Sequence, residues 1–156
     1  MTESRYSMNY EIDQLDRGII QLLSKDGRMS FTELANRLHV TEKTIRLRYK
    51  NLLERDILDV VGVVNPIAIG LKAGAIIQLN VKAKSIQTVI EALQGMKMIR
   101  YITLTSGEYP ILVQIAVKDQ EKITEVLKDI NQIEAVTRVN TIVQLEVYKN
   151  TFEYIL

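Results

Sequence analysis

The hydrophobic repeat of this chain changes near residue 57, from the spacing of helices to the spacing of strands. Before that point apolar side chains recur every three or four residues, as at Leu15, Ile19 and Leu22. Further along the chain, apolar residues recur at every second position, as at Val143, Leu145 and Val147 in the run from Val139 to Val147. Because the two periods belong to different element types, the pattern predicts a helical N-terminal unit followed by an α+β unit.

Three helices are predicted in the first 58 residues. The first ends near Asp26, and the second opens with Ser30 and Glu33 at the spacing of a capping box. Thr41 is placed to cap the third helix, and Asp56 stands where a Gly often closes one. Asp adopts the left-handed conformation of that position less readily than Gly, but it can adopt it.

The rest of the chain predicts a sheet with two helices. The expected elements are strand 74–83, helix 85–94, strand 99–105, strand 110–118, helix 119–131 and strand 136–148. This βαββαβ order is typical of a ferredoxin-like α+β domain. The β-branched run 57–64, which ends at Asn65-Pro66, predicts a connecting strand. The predicted organisation is therefore a helix-turn-helix domain over 1–56, a hinge strand and linker over 57–66, and a ferredoxin-like domain over 67–156.

Composition excludes several kinds of chemistry. The chain has no Cys, which rules out disulfides, thiolate metal sites and thiol nucleophiles. Its single His, His39, lies in the predicted turn and is interpreted as a surface residue. Nothing around it resembles a nucleophile elbow, and the seven glycines are too scattered for a phosphate-binding loop. We therefore expect no enzymatic activity, no metal and no cofactor.

Charge at first argues against nucleic-acid binding, because such proteins usually carry a clear positive excess and this chain has a net charge of +1. Residues 1–58 hold ten Lys and Arg against nine Asp and Glu, and the remainder hold ten against ten. Within the first part, however, four cations fall in eight residues that contain no acid: Lys43, Arg46, Arg48 and Lys50. A neutral total can therefore conceal a basic helix face.

The second and third helices form a helix-turn-helix whose second helix is capped and basic, a geometry that can enter the DNA major groove. The predicted DNA-binding residues are Thr41, Lys43, Thr44, Arg46, Arg48 and Lys50. The two Arg are expected to read bases, since a guanidinium fits the O6/N7 edge of guanine, and the two Lys to hold phosphates. The two Thr lie near the helix N-terminus, where backbone N–H groups also attract phosphate. The same charges equally fit an ordinary solvated helix face.

A second candidate site lies between two predicted strands. Its residues are Thr105, Ser106, Gly107, Glu108 and Tyr109. Hydroxyls and backbone N–H groups there suit the carboxylate of an amino acid, and Glu108 suits its ammonium. A tight β-hairpin built from turn-forming residues explains the same stretch.

Neither a signal peptide nor a membrane span is predicted. The first residues are polar, and the most apolar region, 57–71, is interrupted by Asp59, Asn65 and Pro66. We expect a cytoplasmic protein without membrane contact.

Taken together, the residues resemble the Lrp/AsnC, or feast/famine, transcriptional regulators from about Ile12 to Lys149. The matching stretches are Leu15-Asp16-Arg17, Lys25-Asp26-Gly27-Arg28, Glu33-Leu34-Ala35, Leu38-His39-Val40-Thr41, Thr44-Ile45-Arg46 with Arg48, Val64-Asn65-Pro66 and Ser106-Gly107-Glu108-Tyr109. Their order and spacing carry the resemblance more than any single stretch does.

The resemblance implies a DNA-binding helix-turn-helix joined by a β hinge to an effector domain, the RAM domain. Such proteins form homodimers through that domain and often associate into tetramers or octamers. They bind effectors, usually amino acids, near the loop that matches Ser106 to Tyr109, at the contact between dimers. The family usually has Asp where this chain has Pro110, which lacks both an N–H and a carboxylate. This departure predicts an unusual effector or none. The competing hypothesis is a small-molecule or protein interaction module that binds no DNA, since a ferredoxin-like fold supports many functions.

Overall fold

The computed structural model describes residues 11–150 of the chain. The described residues form two compact units, one reaching to Val63 and the other spanning Val64–Lys149. Residues 1–10 and 151–156, which belong to the predicted domains 1–56 and 67–156, lie outside the described residues.

The first unit contains the three predicted helices. They are α1 (Gln14–Lys25), α2 (Phe31–Leu38) and α3 (Glu42–Glu54). One apolar stripe from each helix meets in a common core, whose buried side chains are Ile19, Leu23, Leu34, Ala35, Ile45 and Leu52. This periodic burial confirms that the helical spacing in the sequence marks the packed faces of all three helices.

The starts of α1 and α2 are capped differently. Ser30 caps α2 by accepting a hydrogen bond from the Glu33 N–H at 3.1 Å, but the Glu33 carboxylate lies 2.6 Å from Arg37. A reciprocal capping box is found in α1 instead, where Asp13 and Asp16 each accept a bond from the other's backbone N–H. The spacing Ser30 to Glu33 therefore located the helix start correctly, while the Glu33 side chain forms an i,i+4 ion pair.

The ends of α2 and α3 place non-glycine residues in the left-handed region. His39 ends α2 with φ of 55°, and Asp56 follows α3 with φ of 54°. Among residues 11–150 these are the only non-glycine residues with positive φ. His and Asp are among the side chains that tolerate this region best, which explains how the helices end without Gly.

The second unit confirms the βαββαβ order. Its elements are β1 (Ala73–Val81), α4 (Ile86–Gln94), β2 (Ile99–Leu104), β3 (Ile111–Val117), α5 (Gln120–Asn131) and β4 (Val136–Gln144), with a short 3₁₀ turn (Ala83–Ser85) before α4. The four strands are antiparallel in the order β2-β3-β1-β4, the ferredoxin-like arrangement.

The two faces of this sheet differ. Odd-numbered residues of β1 and β3 are buried against α4 and α5, which cover one face. The other face, here called the open face, carries Ile76, Gln78, Leu112, Gln114, Asn140 and Ile142. Amide side chains on it bond to each other across the strands, as Asn140 does to Gln78 at 2.7 Å.

Two strand predictions are wrong for the single chain. Residues 57–64 form no strand, and Val61 is 73% exposed. A strand needs a hydrogen-bonded partner, and none of the described segments pairs with this one. For the same reason β4 ends at Gln144 rather than at residue 148: Gln144 pairs with Gly74 near the start of β1, and no strand lies beyond among the described residues.

Candidate nucleic-acid interface and effector loop

Helix α3 is held in place by its cap and by its buried stripe. The Thr41 hydroxyl accepts a bond from the Thr44 N–H at 3.2 Å and lies 2.9 Å from the Thr44 hydroxyl. Ile45 and Leu52 are fully buried against the other two helices, and the Tyr49 ring lies 5.1 Å from that of Phe31. The opposite side of α3 therefore points to solvent.

We call that solvent-facing side the outer face of α3 and define it by Lys43, Leu47 and Lys50. At about 100° per residue, these positions lie on the side of the helix away from Ile45. Lys43 and Lys50 are exposed, with the Lys50 ammonium 3.6 Å from the Glu54 carboxylate. The outer face thus combines two cations with one large apolar side chain.

Arg46 lies at the edge of α3 that borders α2. Its guanidinium is 2.5 Å from the Glu42 carboxylate and lies over the Phe31 ring, 4.8 Å from the centroid. The hydrogen bond from Arg46 lowers the pKa of Glu42, and a second hydrogen bond, from Thr32, adds a smaller effect in the same direction. The Arg46 side chain remains exposed, so it is pre-oriented but accessible.

Arg48 is placed differently from the other cations. Its guanidinium lies 2.8 Å from Asp13 and 3.3 Å from Asp16, at the N-terminus of α1. The Asp16 side chain is 1% exposed and that of Arg48 32% exposed. The hydrogen bond from the Asp16 backbone N–H lowers the pKa of Asp13, and the nearby charge of Arg48 lowers it further. Arg48 therefore links α3 to the start of α1 through these ion pairs. Contact of Arg48 with a DNA base stays a prediction.

The structure places all six predicted DNA-binding residues at exposed or half-exposed positions of α3 or its cap. These are Thr41, Lys43, Thr44, Arg46, Arg48 and Lys50. Arg48 differs from the other five because its guanidinium is paired with the buried carboxylate of Asp16. Leu47 is not among the predicted DNA-binding residues. It could have been found from the sequence, because this apolar residue does not fall on the helix face that carries the buried Ile45 and Leu52.

The candidate effector loop is a closed hairpin between β2 and β3. The Thr105 N–H donates to the Pro110 carbonyl at 2.9 Å, and the Thr105 hydroxyl donates to the Tyr109 carbonyl. Ser106 and Gly107 are exposed at its tip. The hairpin interpretation of this stretch is therefore correct as a description of its backbone, and it leaves the side chains of the tip available to a ligand.

An ion pair joins the loop to β4, the edge strand on the other side of β1. Arg138 of β4 lies 2.5 Å from the Glu108 carboxylate and 5.4 Å from the centroid of the Tyr109 ring. Asn80 of β1 donates to the Glu108 carbonyl at 3.0 Å. No local pattern in the sequence marked Arg138, because thirty residues separate it from Glu108 and only the sheet brings them together.

Within residues 11–150 no group of three or more His, Cys, Asp and Glu is arranged to hold a metal ion. None of the helices in the same range combines the length and the apolar character that crossing a bilayer requires.

Comparisons with known proteins agree with both units. Residues 12–53 match the AsnC-type helix-turn-helix domain, and residues 74–154 match the Lrp/AsnC ligand binding domain. The chain is 33% identical over 143 residues to the HTH-type transcriptional regulator FL11 of Pyrococcus furiosus, covering 91% of this chain and 95% of that protein.

Solved structures share the fold over almost the whole chain. That of AsnC from E. coli superposes with a TM-score of 0.84 at 25% identity, covering 90% of this chain and 97% of that one. A transcriptional regulator from Neisseria meningitidis in complex with L-Met gives a TM-score of 0.85 at 19% identity, covering 93% and 97%. With family matches to both units and relatives of this similarity, the chain belongs to the Lrp/AsnC family of transcriptional regulators.

Proposed function

We propose that this regulator binds double-stranded DNA by placing α3 in the major groove. The observation that carries the proposal is the outer face of α3, which is exposed, bears Lys43 and Lys50, and lies opposite the buried stripe. The N-terminus of α3, where Thr41 and Thr44 lie, offers backbone N–H groups and hydroxyls that bind phosphate. This function requires no catalytic step, and we propose a cytoplasmic location for the protein.

Arg46 and Arg48 take different roles in this proposal. Arg46 is exposed and oriented by Glu42 and Phe31, so it can turn to the O6/N7 edge of a guanine. Arg48 can reach a base only by leaving Asp16, whose charge would then be buried without this partner. We therefore assign base reading to Arg46 and assign to Arg48 the positioning of α3.

We further propose that the binding species is a homodimer or a tetramer or octamer built from it. Two copies related by a two-fold axis would set two recognition helices about 34 Å apart, one turn of DNA. Exposed apolar side chains occur on the open face, such as Ile142, and within residues 57–64, such as Val61. Each supports association, because exposed apolar surface favours burial against another chain.

An amino-acid effector is proposed for the loop Thr105, Ser106, Gly107, Glu108 and Tyr109. The ion pair between Glu108 and Arg138 is complementary to a zwitterion, since Glu108 suits its ammonium and Arg138 its carboxylate. The L-Met complex of the Neisseria meningitidis regulator supports this ligand class within the fold. Pro110, which offers neither N–H nor carboxylate, makes the identity of the effector the open part of the proposal.

DNA binding is tested by selecting sites from random duplexes with the purified full chain and measuring affinity against salt. We expect footprints in two half-sites. In Lys43→Met and Lys50→Met the salt slope should become shallower by about 0.9 for each phosphate that the protein no longer neutralises. Lys128→Met, on an exposed position of α5, is the matched control and leaves the slope unchanged. Absence of any selected site would overturn the proposal.

The effector proposal is tested by thermal shift with each of the twenty amino acids. We expect one or a few to raise Tm in the wild-type protein and to lose that effect in Arg138→Gln, while Arg100→Gln on the exposed edge of β2 retains it. An unchanged Tm with all twenty contradicts an amino-acid effector and leaves the DNA-binding proposal intact.

A further inference from the structure

Leu47 is a large apolar side chain on the exposed side of α3. It is 60% exposed and does not belong to the core that α3 shares with α1 and α2. It lies two positions after Ile45, which is about 200° around the helix axis, so it points almost directly away from the buried stripe. The helical unit gains no packing from a Leu at this position.

The neighbours of Leu47 define what its surface suits. Lys43 lies one turn before it and Lys50 one turn after it on the same face. When such a face enters the major groove, long cationic side chains reach the phosphates on the rims, while the residue between them faces the base edges. Charge complementarity thus orients Leu47 toward the floor of the groove.

An apolar side chain on that floor has one complementary group among the four bases. The C5-methyl of thymine is the only methyl group on the major-groove edges of the unmodified bases, where cytosine has a small C5–H and the remaining positions are hydrogen-bond donors and acceptors. Contact with Leu would leave those polar groups without water and without a partner. A T·A pair is therefore the base pair that Leu47 fits.

We propose that Leu47 is a specificity-determining residue that contacts the C5-methyl of a thymine in each half-site. This inference rests on the proposed binding of α3 in the major groove, and it adds a base contact that hydrogen bonding from Arg46 does not provide. It predicts a thymine at a fixed position of the selected sites whose importance lies in its methyl group.

The test replaces each thymine of the selected site by uracil, which removes only the methyl group. We expect one position per half-site at which this change weakens binding about three- to fivefold, the size expected for exposing one buried methyl. Leu47→Ala should bind the two DNAs equally, because its short side chain no longer reaches the methyl. Leu47→Gln should move the preference at that position toward adenine, which Gln recognises through N6 and N7.

Lys43→Met is the matched control on the same helix face. It should weaken binding to both DNAs while keeping the ratio between thymine and uracil. A site without any uracil-sensitive position, or a ratio that persists in Leu47→Ala, overturns the role of Leu47 and leaves DNA binding by α3 standing. A protein that binds no DNA overturns both proposals. If Leu47→Ala changes the oligomeric state without changing the ratio, Leu47 belongs to a contact between copies of the chain, and the proposal is also wrong.

Discussion

Arg48 and Asp16 show at the level of single residues how α3 is fixed. Among residues 11–150 Asp16 is the one buried charged side chain, and Arg48 reaches it across 32 positions of sequence. We expect Arg48→Met to lower the free energy of unfolding by about 2 kcal/mol, below the range for fully buried pairs because Arg48 is partly exposed. Urea denaturation measures this. Lys50→Met, which removes the exposed pair with Glu54, should change stability by less than about 0.5 kcal/mol.

The combination with Asp16→Asn separates positioning from base reading. If the pair acts as a unit, the double variant loses less stability than the two single variants together, because each single change already breaks the ion pair. If instead Arg48→Met leaves stability unchanged and relaxes the base preference at one position, Arg48 reads DNA and the positioning role is wrong.

Asp13 gives the helical unit a dependence on acid pH. The Asp16 backbone N–H and then Arg48 lower its pKa in the folded state. A lowered pKa stabilises the fold at pH above the unfolded value, near 4 for an Asp, and this contribution is lost as the pH falls through the folded value. Asp13→Asn keeps an N-cap but cannot titrate. Urea midpoints from pH 7 to pH 2 should therefore converge for wild type and variant in acid, and parallel curves would contradict this cause.

The end of α3 provides a test at the level of elements. Asp56 follows the helix with φ of 54°, a conformation that Gly adopts without strain. Asp56→Gly should raise the free energy of unfolding by up to about 1 kcal/mol, because relief of strain outweighs the added freedom of the unfolded chain. Asp59→Gly is the matched control: Asp59 lies three residues on without positive φ, so it should gain nothing. Thermal unfolding of both variants decides, and equal effects would show that the left-handed position carries no strain.

The open face of the sheet provides a test at the level of the whole molecule. Ile142 is 47% exposed there, so Ile142→Lys should leave the circular dichroism spectrum unchanged. If the open face is buried between copies, a charge at this position is desolvated without a partner, and the protein should dissociate to monomers and lose affinity for two-half-site DNA. Light scattering and DNA titration measure the two effects. Thr88→Lys, on an exposed position of α4, should change neither. Identical masses for wild type and Ile142→Lys would place the association elsewhere.

The order of the amino acids is enough to predict the features that depend on near neighbours. The periods of the apolar residues located five helices and four strands because burial of one face repeats with the geometry of each element. Ser30, Thr41 and Asp56 marked helix ends because capping involves residues within a turn. The cations of α3 were visible as a local run, and the turn residues after Thr105 made a hairpin one of two interpretations of that stretch.

Which of these side chains have partners follows only from the three-dimensional fold. The fold pairs Arg48 with Asp16 and Arg138 with Glu108 across about thirty residues, and it leaves Leu47 exposed between Lys43 and Lys50. Among the described residues it also leaves 57–64 without a strand partner. The physical reason is that ion pairs and sheet ladders depend on distance in space, which a residue's sequence neighbours do not specify. The hydrophobic period and the helix caps, by contrast, depend on residues within one short segment, and they can therefore be predicted from the sequence alone.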